Sequence, residues 1–287
     1  MRTSNGRTIG RVVALITPVG VFLSLAACVV DDGPTGLLIV QDQWLGAGAA
    51  ATSCSVPATA TPQRRIQGIL DVAVLDQASH TPHYLFYPLV QNLLGPLTGM
   101  VASGSTSDVE EKHNILMTAF HVKLDVATDA GASFTWDPAC PGEFDVPLET
   151  FRLEPGGSMS EIVEIIRSCN AATLFQYFQD QALSSVAITA TIRAKGHLGS
   201  AGISSPPFKF PVHACVGCLQ TGYPDSKATR FDFPAIAKCS DLTVNPYTGD
   251  PCNPAQDQLV LCCATDYDAG GQVTSVQCPA VPTGTAP

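Results

Sequence analysis

Positive charge is scarce in this chain, and charged residues of either sign are few. The 287 residues include 15 Lys and Arg against 25 Asp and Glu, and the charged fraction is only 14%. An acidic chain with few cations binds nucleic acid poorly, because neutralising phosphates supplies most of that affinity. Hydrophobic residues still make up 45% of the chain, so the composition predicts a folded core rather than disorder.

Catalytic and cofactor motifs are also missing. There is no phosphate-cradling or dinucleotide-binding glycine motif, so we expect no cofactor. The segment around Ser200 resembles a G-x-S-x-G elbow, but Leu198 stands where the first glycine belongs, and the segment is predicted to join two strands. Residues 266–271 begin like a calcium loop, but Gly270 occupies the third ligand position and no Glu closes the loop. Both segments are therefore predicted to be turns.

Hydrophobic runs long enough to span a bilayer are absent as well. The longest run, residues 12–25, has about 14 residues and contains Pro18, whereas a membrane-spanning helix needs about 20. Three arginines precede this run, and the small residues Ala26 and Ala27 follow it. A basic start, a short apolar segment and small residues before a cut are typical of a secretory signal.

The motif Leu25-Ala26-Ala27-Cys28 resembles the lipobox of bacterial lipoproteins. The resemblance implies cleavage between Ala27 and Cys28, a lipid on the Cys28 sulfur and acyl chains such as palmitate on the new amino terminus. Val29 follows the cysteine instead of an Asp, which in many such proteins favours the outer membrane. The alternatives are an ordinary signal cut elsewhere, with Cys28 in a disulfide, and an uncleaved membrane anchor.

Removal of residues 1–27 would leave 260 residues with 12 basic and 25 acidic side chains, a formal charge of −13. Such a body has little attraction for anionic lipid, so the acyl chains on Cys28 would have to hold it at the membrane. Residues 28–36 then form a short tether. At about 3.3 Å per residue, it would keep the body close to the bilayer.

The cysteine count agrees with lipidation, because the chain has 11 Cys and an even ten remain without Cys28. In an oxidising compartment we expect these ten to form disulfides. The ten candidates are Cys54, Cys140, Cys169, Cys215, Cys218, Cys239, Cys252, Cys262, Cys263 and Cys278. Seven of them fall after residue 214, so if every thiol pairs, at least one bond must tie this tail to the earlier chain. The sequence leaves the pairing open.

Cys215 and Cys218 have the CxxC spacing of redox pairs and zinc sites. A redox pair usually begins at a helix N-terminus within a βαβ unit, whereas this pair is predicted to follow a strand. A zinc site would need a second CxxC or a later His pair, and no His follows His213. A structural disulfide is the favoured interpretation, with metal and redox sites as the alternatives.

The histidines give no better metal site. His80 and His83 are the only close pair, with Asp76 as a possible third ligand, but Pro82 indicates a turn between strands and solvated side chains. His121 is predicted to lie outward on a strand, as a surface residue. We expect no metal.

Seven strand candidates predict a mainly β fold, an immunoglobulin-like antiparallel β-sandwich over residues 37–214. The clearest is 114–127, where Leu116, Thr118 and Phe120 are expected on the buried face and His121 on the other. Pro88 should make the strand within 84–94 an edge strand or a bulged one. The strand candidates are residues 37–44, 68–75, 84–94, 114–127, 144–153, 186–195 and 203–214.

A helical insertion is expected between residues 159 and 183, because Ser158 and Glu161 match a capping box and Ile162, Ile165 and Ile166 share a helical face. Beyond it, residues 215–279 are predicted to form a small cystine-rich module stapled by disulfides. Residues 280–287 are expected to be a frayed tail.

These features favour a lipid-anchored envelope protein with a structural or interaction role and no catalysis. Its partners would be the membrane, through Cys28, and an envelope protein or polysaccharide, but not nucleic acid. Loops 46–62 and 97–112 and the cystine-rich tail are the predicted contact surfaces, since loops on rigid sandwiches often bind. The alternatives are a carrier for a small apolar ligand, with residues 162–178 as a lid, and an envelope hydrolase.

Overall fold

A computed structural model describes residues 36–44, 54–73, 82–96, 113–128, 133–221, 238–241, 249–250, 252–253, 255–271 and 273–277. All of these residues belong to one compact unit, Pro34–Pro287. The predicted signal, the lipobox, almost all of the tether, loop 97–112 and the tail 280–287 lie outside the described residues.

The protein is mainly β, with mixed sheets and one α-helix among the described residues. The strands before the helix are β1 (Leu37–Gln43), β2 (Arg64–Arg65), β3 (Gly68–Asp71), β4 (Tyr84–Phe86), β5 (Pro88–Asn92), β6 (Ile115–Ala127), β7 (Glu143–Leu153), β8 (Ser158–Ser160) and β9 (Val163–Ile166). The helix α1 is Ser168–Gln181. The later strands are β10 (Ser185–Leu198), β11 (Ala201–Ser204), β12 (Phe208–Cys215), β13 (Gln220–Thr221), β14 (Val260–Leu261), β15 (Cys263–Tyr267) and β16 (Val273–Gln277).

Two sheets carry most of the strands. The small sheet has the order β2-β1-β5-β8, and the large sheet has the order β3-β12-β10-β6-β7, with β11 pairing the end of β10. Strand β3 runs parallel to β12, and β13 runs parallel to β14. The expectation of purely antiparallel sheets is therefore wrong, because β3 reaches β12 by a long crossover rather than a hairpin.

The two sheets and the helix share one buried apolar cluster. Leu37 and Val90 of the small sheet, Phe120 and Ile188 of the large sheet, and Phe178 of α1 all belong to it and are almost completely buried. Burying one such side chain contributes about 1.5–3 kcal/mol. This shared cluster is the main apolar contribution that holds the described elements together.

The 114–127 strand is present as β6, but its predicted buried face is wrong near the start. Leu116 is 41% exposed, whereas Met117 and Phe120 are fully buried. The pairing with β10 shifts register between Lys195 and Gly196, so Thr118 is an extra residue that reverses the alternation. Because Ile115, Leu116 and Met117 are all apolar, the sequence alone does not show where the extra residue lies.

The prediction for Pro88 is wrong in one respect. Pro88 is the first residue of β5, and β5 lies inside the small sheet between β1 and β8, not at its edge. A proline is tolerated there because the first residue of a strand can do without its ladder hydrogen bond. The irregularity lies on the partner strand, where Val40 is the extra residue between Ile39 and Gln41.

The predicted start of the helix is also wrong. Ser158 lies in β8 and its hydroxyl donates to Ala58 O, while Ile165 and Ile166 belong to β9, which pairs with β4. Long-range pairing therefore overrides the local capping pattern. Helix α1 begins ten residues later than Ser158, and the predicted lid of residues 162–178 is divided between β9 and a helix whose apolar face fills the core.

The described part of the segment after residue 214 does not stand apart from the body. Ala255, Val260 and Cys262 belong to the main buried cluster, whereas Cys239 and Cys263 form a small cluster with Leu261.

Candidate functional site

A buried arginine forms the centre of the most unusual polar cluster among the described residues. Arg65 in β2 lies opposite Asp42 in β1, and its Nε and Nη2 donate to the two carboxylate oxygens of Asp42 at 2.7 and 3.1 Å. Arg65 Nη1 donates to Asp257 Oδ2 at 2.5 Å, and Nη2 also donates to Leu85 O. The three charged side chains are at most 6% exposed, so water screens these contacts little.

Two tyrosines complete the cluster. The Tyr84 hydroxyl donates to Asp257 Oδ2 at 2.8 Å, and the backbone N–H of Tyr87 donates to Asp42 Oδ1 at 2.8 Å. The Arg65 guanidinium lies 5.5 and 4.7 Å from the centroids of the two rings, within the range of cation–π attraction. Gly68 leaves the room for Tyr84, because a Cβ there would overlap the tyrosine hydroxyl.

The cluster has more buried negative charge than positive charge. Asp42 and Asp257 face a single guanidinium, and Asp250 is also buried nearby. Burial raises the pKa of Asp42 from 3.8 to about 6, although Arg65 acts in the opposite direction. Burial also raises the pKa of Asp250. The site therefore favours taking up a proton in mildly acidic conditions.

Residues 255–257 lie beside β3 and β4, and Gln256 forms an antiparallel bridge with Leu70 of β3. Asp257 Oδ1 accepts from Ile69 N, and Asp257 N donates to Ile69 O. The Gln256 side chain accepts from Leu85 N and donates to Leu85 O, which satisfies both backbone groups of that residue. Asp257 adopts a left-handed φ of 59°, uncommon for a residue with a side chain. This part of the segment after residue 214 therefore contributes to the polar interior of the protein.

Four disulfides join described cysteines. One of them, Cys54–Cys252, ties the tail to the loop before β2 across a sequence separation of 198. Cys262 is disulfide-bonded too, with a partner outside the described residues; Cys278 also lies outside them. The four pairs are Cys54–Cys252, Cys140–Cys169, Cys215–Cys218 and Cys239–Cys263.

Residues 54–62, the described part of the loop 46–62 that was predicted to be a contact surface, are tied to the small sheet. The Gln43 side chain donates to Pro57 O and accepts from Thr61 N, and Gln41 donates to Thr61 O. Together with the Cys54–Cys252 bond, these contacts hold the loop in place, while residues 58–60 and 62–63 remain exposed.

The CxxC segment is built around another buried carboxylate, which lies outside the Arg65 cluster. Asp71 is fully buried, and it accepts from Gly217 N at 2.8 Å and from Leu219 N at 3.0 Å. Burial raises the pKa of this carboxyl, while its backbone hydrogen bonds lower it. Cys215 is 1% exposed, whereas Cys218, the other half of the disulfide, is exposed.

The outer face of the large sheet brings His121 between carboxylates of β7. Its Nδ1 lies 2.7 Å from Asp145 Oδ1, and its Nε2 lies 3.3 Å from Glu143 Oε1. Lys195 Nζ donates to both oxygens of Asp145, and this lowers the pKa of that carboxyl. These groups are partly or largely exposed, so such pairs add little to stability.

The other predicted sites are scattered. Asp76 and His80 lie outside the described residues, and His83 uses its carbonyl to accept from Asn253. Ser200 lies in the tight turn between β10 and β11, and residues 266–271 run from β15 into a turn before β16. In the part of the chain that the structure describes, no group of three or more His, Cys, Asp or Glu could hold a metal ion.

Sequence reasoning missed the Arg65 cluster altogether. One signal was available: Asp42 belongs to a predicted strand that begins with the apolar run Leu37–Val40, and a carboxylate buried in such a strand needs a partner. Nothing in the sequence pointed to Asp257, which is 192 residues from Arg65.

No helix among the described residues is long and apolar enough to span a membrane. Comparison with known proteins found no matching family model, no similar curated protein and no similar solved structure.

Proposed function

We propose that this protein is a lipid-anchored component of the cell envelope, with a structural or interaction role and no catalysis of its own. Its body is an immunoglobulin-like sandwich formed by the small and large sheets. Cys28 holds it at the membrane, and an envelope protein or polysaccharide is the partner. The observation that carries the proposal is how β1, the first of the described strands, is fixed within the fold.

That strand, β1, begins nine residues after Cys28. It lies inside the small sheet, between β2 and β5, and its Asp42 is bonded to Arg65. Arg65 in turn holds Asp257 of the tail. A force applied through a lipid on Cys28 would thus reach a strand that is fixed on both sides. This arrangement suits a body held close to a bilayer.

The surface best suited to a partner is the outer face of the large sheet. Lys123, Arg193 and Lys209 lie there on three adjacent strands, beside His121 and the carboxylates of β7. A sheet face that presents charges of both signs matches a polar partner and adds specificity more than affinity. This face is added to the loops 46–62 and 97–112 and the residues after 214 as a surface to test.

Site-specific photocrosslinking in native envelopes tests the proposal. A photoreactive residue at Lys123 or Lys209 is expected to give a discrete adduct, whereas one at Glu161, exposed between β8 and β9, is expected to give none. A variant in which a conventional cleavable secretory signal replaces residues 1–27 and Ser replaces Cys28 should leave the membrane fraction and lose the adduct. A protein that stays with the membrane without Cys28, or forms no adduct from either lysine position, would contradict the proposal.

A further inference from the structure

The Cys215–Cys218 bond is expected to stabilise the fold less than the other three disulfides between described cysteines. It links residues three apart, whereas the others span separations of 24, 29 and 198. In the chain-entropy account, a crosslink stabilises by restricting the unfolded chain, and the shortest loop restricts it least. The bond therefore has a small structural role by this measure.

The loop that carries this bond is held by hydrogen bonds that do not depend on it. Cys215 O accepts from Val72 N, and Val216 N donates to Ser184 O. Asp71 accepts from the amides of Gly217 and Leu219. The two Cα atoms, 5.9 Å apart, are thus fixed from both sides, so two free thiols would stay close enough to close again.

The two sulfurs differ in access. Cys218 is exposed, so an incoming thiolate can reach it, whereas Cys215 is 1% exposed and protected. Cys215 Sγ lies 3.4 Å from Leu70 O, a carbonyl that can accept a hydrogen bond from the Cys215 thiol once it is reduced. An incoming thiolate can therefore attack Cys218, and the Cys215 thiol released by that attack has a hydrogen-bond acceptor.

We propose that the Cys215–Cys218 disulfide is a thiol–disulfide exchange site, and that a protein dithiol of the envelope is its reaction partner. The inference shares with the proposed function the location in the cell envelope, but it does not require the lipid anchor. A thiolate of the partner attacks Cys218 Sγ, an intermolecular S–S bond forms, and the Cys215–Cys218 bond breaks. The electron pair leaves on Cys215 Sγ, which takes a proton from solvent.

The partner's second thiol then loses its proton and attacks the partner sulfur of the mixed disulfide. Cys218 leaves as a thiolate and takes up that proton, so the partner ends as a disulfide and this protein as a dithiol. Two electrons and two protons have passed from the partner to this protein. A partner disulfide of higher potential reverses the sequence.

Dithiothreitol serves as the dithiol probe on the mature, fully oxidised protein. After graded reduction, free thiols are alkylated and assigned by peptide mass mapping, while circular dichroism follows the fold. The control bond is Cys140–Cys169, which also has one buried and one exposed cysteine but spans 29 residues. Cys215 and Cys218 are expected to become labelled at least tenfold faster, with the fold retained.

Two single variants test the direction of attack. In Cys215→Ser the remaining Cys218 thiol should react rapidly with 5,5′-dithiobis(2-nitrobenzoate), and in Cys218→Ser the buried Cys215 should react at least tenfold more slowly. After removal of dithiothreitol, oxidised glutathione should re-form the wild-type bond without unfolding. Simultaneous opening of all bonds on unfolding, or equal reactivity of the two variants, would overturn the proposal.

Discussion

Asp257 Oδ2 accepts a hydrogen bond from Arg65 Nη1 at 2.5 Å, although 192 residues separate the two along the chain. The same oxygen accepts from the Tyr84 hydroxyl, and the other carboxylate oxygen accepts from Ile69 N. Asp257 thus accepts hydrogen bonds from three donors that lie much earlier in the chain. Because each would be costly to leave unpaired, the fold depends on residues near its C-terminal end.

Replacing Asp257 tests that dependence. Asp257→Ala is expected to lower the free energy of unfolding by about 3 kcal/mol, because Tyr84, Ile69 and Arg65 each lose a buried acceptor. Urea unfolding of the mature, oxidised protein measures the change. The control, Asp266→Ala, removes an exposed carboxylate from the same tail and should change stability by no more than about 0.5 kcal/mol.

The burial of Asp42 predicts an unusual dependence of stability on pH. Because the pKa of Asp42 is raised to about 6 in the folded protein, the folded state binds a proton more tightly than the unfolded state does. The resulting stabilisation is fully present below pH 3.8 and is lost as the pH rises through 6. Integrated over that window, it amounts to about 3 kcal/mol.

Urea unfolding of wild type and Asp42→Asn at pH 4.5 and pH 7.5 isolates this contribution, because the amide does not titrate. The stability of wild type relative to the variant should be greater at pH 4.5. If the difference in unfolding free energy between wild type and Asp42→Asn is the same or larger at pH 7.5, Asp42 is ionised at both pH values.

The disulfide Cys54–Cys252 should be the most stabilising of the four. Its separation of 198 residues gives about 5 kcal/mol in the chain-entropy account, against about 2 kcal/mol for Cys215–Cys218. The double variants Cys54→Ser/Cys252→Ser and Cys215→Ser/Cys218→Ser can be compared by thermal unfolding. The first should lower the Tm clearly more than the second; the reverse order would refute the account.

Gly196 is required by the bulge in the large sheet. A Cβ there would lie 2.7 Å from Leu116 O, a backbone atom that cannot move without disturbing β6. Gly196→Ala should therefore cost about 1–3 kcal/mol. Gly202, in the neighbouring β11, has open space around the same position, so Gly202→Ala should have little effect on the midpoint of urea unfolding.

Much of the β structure could be predicted from the sequence, because alternation such as that of Val186, Ile188 and Ala190 is a local signal. The helix start and the face of Leu116 were predicted wrongly, since each depends on pairing with residues far along the chain. The Arg65 cluster could not be predicted either, because residues far apart in the sequence form it. The cysteine count, in contrast, required that the tail be tied to the earlier chain if all ten thiols pair, and Cys54–Cys252 makes such a link.

Intact-mass spectrometry of the detergent-extracted protein, before and after reduction, tests the central claim most directly. The account predicts the mass of residues 28–287 plus acyl chains, and an increase of about ten protons on reduction, with Cys262 and Cys278 forming the fifth bond. A mass without acyl chains, or a disulfide that includes Cys28, would contradict the lipid anchor on which the proposed function rests.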